Sequence, residues 1–170
     1  NFVLRNYSSK MPEYSGNLVV KDLNTTILTK NKQVGLISGN FNVQGKGFDI
    51  NTLSLNTKSH ISKIELMGKT LNNVSLDGEL AQKQFKGIIS INDAQARGLV
   101  NGKIDFSKPR LFADVDAQID YLNLDYFGVA SAETKSFKGE VKGKVSMTNL
   151  NDLDLVLVIV QSSSDECTEH

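Results

Sequence analysis

Apolar and polar residues alternate along most of this chain. In the segment SFKGEVKGKVSM, which spans 136–147, Phe137, Val141 and Val145 share one face and mainly charged side chains occupy the other. A period of two residues predicts a β-strand with one face packed and the other in water. The same alternation predicts further strands at 37–45, 64–68, 74–80, 85–91, 98–106 and 111–119.

The spacing of these strands predicts an all-β fold. No long window shows a helical period, and we expect short helical connectors only at 21–28 and 120–127. The strands follow one another after short loops, which suits antiparallel pairing and leaves no room for the crossovers that parallel strands need. We therefore predict a curled antiparallel meander sheet, with a turn near 82–84.

Glycine recurs on the apolar side of the predicted strands. Because glycine weakens a strand interior, its repeated placement on the face that builds the core needs a reason. A tightly curled sheet crowds its concave face, and glycine relieves that crowding. The glycines with this parity are Gly39, Gly45, Gly68, Gly78, Gly87, Gly98, Gly102, Gly139 and Gly143.

A loose internal repeat divides the chain. VKDLNTTIL at 20–28 resembles IDYLNLDYF at 119–127, and a glycine-bearing strand follows each copy. Repeats of this kind suggest a stacked array in which neighbouring units complete each other's cores. We predict one repeat and the start of the next over 1–153. An atypical strand and a polar tail with Cys167 follow over 154–170. Since the sequence does not begin with methionine, we expect an excised fragment.

Composition excludes several classes of protein. Of 170 residues, 39% are hydrophobic and 22% are charged, which is typical of a folded domain. Basic and acidic residues both number 19, so nothing indicates nucleic-acid binding. One cysteine excludes a disulfide framework within the chain, and no apolar run is long enough to span a bilayer.

Candidate catalytic motifs are incomplete. The tripeptide at 68–70 ends like a phosphate-binding loop, but Lys63 stands where that loop needs glycine. The carboxylates of Asp114, Asp116 and Asp120 lie along a polar strand face and lack a calcium-binding loop. His60 falls in a turn-like segment, and we expect it on the surface. We therefore predict no enzyme activity, no catalytic residue, no metal site and no cofactor.

The segment from 45 to 108 resembles a known family. GKGFDINTL, ISKIELMGKTLNNVSLDGEL, FKGIISIND and VNGKIDFS occur in the order and spacing of the AsmA-like, TamB-type translocation and assembly proteins of Bacteroidetes. The likeness extends more loosely over most of 15–153. After 153, the unbroken apolar run at 155–160 departs from the family pattern.

The resemblance implies a role in the envelope of a Gram-negative bacterium. Proteins of this family form a repeating β-groove, are anchored in the inner membrane and reach across the periplasm. They are implicated in outer-membrane assembly and in carrying phospholipid between membranes. By resemblance, the partners are phospholipid acyl chains, outer-membrane assembly proteins and the inner membrane through an anchor outside this chain.

The periodicity and the resemblance together predict a lipid-carrying groove. Acyl chains filling an apolar groove gain about 0.8 kcal/mol per buried methylene. The alternative is a sheet closed into a sandwich or barrel, which would serve as a spacer or a protein-docking module without lipid transport. The predicted lining residues are Phe41, Val43, Leu66, Val74, Leu76, Leu80, Phe85, Ile89, Ile91, Val100, Ile104, Phe106, Val115, Ile119, Phe137, Val141 and Val145.

Overall fold

Ten strands and two helical turns make up the computed structural model, which describes residues 1–29, 34–108, 110–129, 134–147 and 153–162. The elements are β1 (Phe2–Arg5), β2 (Glu13–Asn24), α1 (Thr25–Thr29), β3 (Val34–Lys46), β4 (Ser54–Leu66), β5 (Lys69–Ala81), β6 (Gln84–Asn92), β7 (Ala96–Asp105), β8 (Leu111–Asn123), α2 (Leu124–Phe127), β9 (Ser136–Met147) and β10 (Leu153–Ser162).

The strands form one antiparallel sheet in sequence order, from β1 at one edge to β10 at the other. The all-β antiparallel meander with short helical connectors is therefore confirmed. The sheet is not closed, so the sandwich or barrel that we considered as an alternative is wrong for the described residues. Each described strand makes its main contacts with its sequence neighbours alone.

Two local predictions were wrong. Gly68 was placed on a strand face, but Met67 and Gly68 form the turn between β4 and β5, both with positive φ. This pair of left-handed residues gives the turn the twist that suits a tight hairpin. The segment around His60 was expected to be a turn, but it lies in the middle of β4. His60 is exposed there, as predicted for a surface residue. The turn predicted near 82–84 is present, with positive φ at Gln82 and Lys83.

Glycines lie where neighbouring backbones approach too closely for a side chain. A Cβ atom added to Gly102 would stand 2.3 Å from the Asp114 carbonyl oxygen, and one added to Gly78 would stand 2.4 Å from that of Lys86. Because backbone atoms cannot move aside easily, these positions exclude any residue with a Cβ. The crowding predicted for a curled sheet is therefore present, and its source is the adjacent strand.

Bulges at one end of the sheet keep apolar residues on a single face. Register shifts fall between Val20 and Leu23 in β2 and between Ile119 and Leu122 in β8. In a regular strand, residues three positions apart point to opposite faces, but the extra residue of a bulge reverses the side chains that follow it. Leu23 and Leu122 therefore stay on the side of Val20 and Ile119, although three positions separate the members of each pair.

The same end of the sheet carries both helical turns and the main core cluster. Ile61, Leu71, Val74 and Ala96 are buried there, and side chains from β3 to β8 and from α2 pack around them. We call this the helical end. The turns at 67–68 and 93–95 lie at the same end.

Candidate functional site

The inner face is the side of the sheet that carries Ile61, Val74 and Phe85. Residues paired directly across antiparallel strands point to the same side. The pairing therefore extends this face from β2 to β9 in continuous rows. One row consists of Leu18, Phe41, Ser59, Leu76, Ile89, Val100, Ala117 and Val141.

The predicted lining residues fall on this inner face. The register places all of them there except Phe106, which follows the end of β7 and pairs with no strand residue. Val43, Val74 and Phe85 are buried, and the others with described side chains are partly buried. The backbone of Val145 pairs with Ala113, and its side chain lies outside the described residues. The proposed contact of this set with lipid stays a prediction.

The outer face, the opposite side of the sheet, is polar and solvated. Lys58 lies 3.4 Å from the Asp77 carboxylate, and Lys142 lies 3.1 Å from that of Asp116. Exposed pairs of this kind contribute little to stability. Several apolar side chains also lie on this face, and two of them are Ile88 at 42% and Leu99 at 44% exposed. Each directly precedes an inner-face residue, so the two faces can be compared within one strand.

Part of the inner face is filled by its own side chains. The ring of Phe85 reaches within 2.9 Å of the place where a Cβ of Gly78 would stand, and Val115 covers Gly102 at 3.0 Å in the same way. Large side chains thus occupy the space above glycines of the neighbouring strand. What remains is a shallow, partly filled face.

Two inner-face residues, Thr57 and Ser59, are not among those predicted from the sequence. They belong to β4, in the segment that was expected to be a turn, and they are 9% and 6% exposed. Their side-chain hydroxyls hydrogen bond to each other. Leu55 and Ile61 have the same parity on either side, but the residues between them, 56–60, are all polar, so no alternation of apolar and polar positions marked the pair.

Helical turn α2 crosses the helical end from β8 toward β5. The Tyr126 hydroxyl donates to the Thr70 carbonyl at 2.7 Å and accepts from the Thr70 N–H at 2.9 Å. Phe127 packs against the core cluster. Since β6 and β7 separate β8 from β5, these contacts hold α2 across the inner face.

A polar network supports α2 from the turn between β6 and β7. Asn123 donates through its amide to the Gln95 side-chain oxygen at 2.7 Å, and Gln95 donates its backbone N–H to Asp93. Burial raises the pKa of the Asp93 carboxyl, but hydrogen bonds from the Gln95 N–H and from Asn72 outweigh it and hold that pKa below its ordinary value. Asp93 thus joins strand β5 to the turn between β6 and β7.

Within the described residues, no group of metal-ligating side chains comes together. The carboxylates of Asp114 and Asp116 face lysines of neighbouring strands, as expected for a solvated polar face. The helices in the described ranges are too short or too polar to cross a bilayer.

Comparisons of the chain with protein-family models, with curated proteins and with solved structures find no match. The likeness to the TamB-type proteins therefore stays a resemblance in its short motifs.

Proposed function

We propose that this chain is a segment of a cell-envelope protein that carries phospholipid acyl chains along its inner face and supports outer-membrane assembly. In this proposal, the full-length protein is anchored in the inner membrane and works in the periplasm, where outer-membrane assembly proteins are its partners. The chain acts as a binding surface and catalyses no reaction.

One observation carries this proposal: a continuous apolar face on an open sheet. Apart from α2, no second layer of described residues covers the inner face. Uncovered apolar surface is costly in water, and acyl chains could cover it. Ten strands spaced by about 4.8 Å extend roughly 40 Å, enough for the tails of a phospholipid.

A single introduced tryptophan would test which face meets lipid, because the chain contains none. We would compare Ile89→Trp and Val100→Trp on the inner face with Ile88→Trp and Leu99→Trp on the outer face. Each protein would be mixed with phospholipid brominated along its acyl chains, since bromine quenches tryptophan only in contact. The proposal predicts quenching of the two inner-face tryptophans and none on the outer face.

Equal quenching on both faces would indicate nonspecific adsorption and would contradict the proposal. Thermal unfolding of each variant would show that it is folded. Native mass spectrometry of the unmodified chain purified from bacterial membranes would supply an independent measurement, with retained phospholipid expected.

The second candidate function is a rigid spacer or docking module that carries no lipid. The packing of Phe85 and Val115 over glycines favours it, because it reduces the apolar surface left for a ligand. For this function, folded variants show no quenching on either face and the purified chain retains no lipid.

A further inference from the structure

The buried hydroxyls of Thr57 and Ser59 are an exception on an apolar face. Their neighbours in the same rows are Val43 and Gly78 beside Thr57, and Phe41 and Leu76 beside Ser59. Both residues are at least nine-tenths buried. A buried hydroxyl without a hydrogen-bond partner destabilises the fold, so such a pair needs partners for all its hydrogens.

The mutual hydrogen bond satisfies one donor and leaves the other without an acceptor. Two hydroxyl groups carry two donor hydrogens, and a hydrogen bond between them uses one. Among the described residues, the side chains of Thr57 and Ser59 have no other hydrogen-bond partner. One hydroxyl hydrogen on the inner face is therefore available to an acceptor oxygen that the described chain does not supply.

We propose that the Thr57 and Ser59 hydroxyls bind the carbonyl oxygen of an acyl group. A ligand for this place must be apolar enough to lie on the inner face and must carry one acceptor oxygen. An acyl chain with its carbonyl combines both properties. The inference rests on the proposed function, and it adds a polar contact that fixes where along the inner face an acyl chain begins.

The test compares two phospholipids of equal chain length and identical headgroup, one with ester-linked chains and one with ether-linked chains. The ether lipid lacks the carbonyl oxygens and keeps the chains. We expect the unmodified protein to bind the ester lipid about fivefold more tightly, a difference of about 1 kcal/mol for one hydrogen bond. A free fatty acid of the same length, used as a competitor, would show which molecule supplies the carbonyl.

The double variant Thr57→Val with Ser59→Ala should bind both lipids equally. Removing both partners of a hydrogen bond with little change of shape is close to neutral for stability, so the variant should fold. Ser75→Ala is the matched control, because Ser75 of β5 lies on the outer face, where its backbone pairs with His60 of β4. This control should keep the preference for the ester lipid.

The outcomes separate the two proposals. If the unmodified protein binds the ester and ether lipids equally, the carbonyl contact is wrong and the lipid-carrying function stands. If the double variant keeps the preference, another group binds the carbonyl and this assignment is also wrong. If neither lipid binds, the proposed function itself fails.

Discussion

Helical turns α1 and α2 share a sequence pattern but differ in their tertiary contacts. Each follows a bulged strand and begins after an asparagine whose side-chain oxygen accepts a backbone N–H, Asn24 from Thr26 and Asn123 from Tyr126. Beyond this cap, α2 is bound to β5 and packs on the core. In α1, Ile27, the counterpart of Tyr126, is 76% exposed.

The difference follows from the order of strands. Three strands before β8 lies β5, which supplies the backbone of Thr70 to α2. Only β1 lies beyond β2 in the described sheet, so none of the described strands holds the corresponding position for α1. The comparison teaches that local sequence builds the turn, and that a distant strand decides whether the turn becomes part of the core.

The largest effect should come from truncating the aromatic side chain that α2 packs on the core. Phe127→Ala should lower the free energy of unfolding by about 2–3 kcal/mol. Truncating a fully buried Phe to Ala costs about 3–5 kcal/mol, and Phe127 is only partly buried. Ile27→Ala, on exposed α1, should change it by less than about 0.5 kcal/mol. Chemical denaturation measures both, and equal losses would remove the distinction between α1 and α2.

The asparagine caps should differ in the same direction. Asn123→Ala removes a cap and the hydrogen bond to Gln95, for a loss of about 2 kcal/mol in unfolding free energy. Asn24→Ala removes a cap that serves only α1, at a cost of about 0.5–1 kcal/mol. Chemical denaturation of the two variants in the same buffer tests this order, and a larger loss at Asn24 would contradict it.

Removing the Tyr126 hydroxyl isolates the contact with β5. Tyr126→Phe keeps the ring and loses both hydrogen bonds to Thr70, so the unfolding free energy should fall by about 1 kcal/mol. Amide hydrogen exchange at Thr70 should become faster, while exchange at strands far from α2 should not change. Uniformly faster exchange would indicate a global loss of stability instead.

Acid should weaken the hydrogen-bond network of Asp93 that supports α2. Because the folded-state pKa of Asp93 lies below its ordinary value, its ionised form stabilises the fold above about pH 4, and this stability is lost as pH falls through the folded-state pKa. Asp93→Asn should therefore be less stable than the unmodified chain at pH 7, and the gap should narrow toward pH 2. Asp125→Asn, at an exposed position of α2, is the control. A gap that does not depend on pH would exclude this role of the carboxylate.

The sequence by itself determined the antiparallel meander of β3 and of β5 to β9 and the assignment of its faces, but it did not predict β1, β2 or most of β4. In a strand the side-chain period is set locally, so alternation at Val74, Leu76 and Leu80 was enough to identify the apolar side. Short loops then required antiparallel neighbours. The repeated Leu-Asn pair, at 23–24 and 122–123, also predicted both helical connectors, because caps and bulges depend on a few adjacent residues.

Tertiary structure decided the features of the protein that depend on pairing between separate elements. The close approach of backbones at Gly102, the burial of Thr57 and Ser59, and the contact between Tyr126 and Thr70 all depend on contacts between different elements. Ser59 is polar and lies in a polar stretch, so only its pairing with Phe41 and Leu76 shows that it faces inward. Because burial depends on the neighbouring strands and hydrophobicity belongs to the residue alone, the sequence pattern could not separate this strand from a turn.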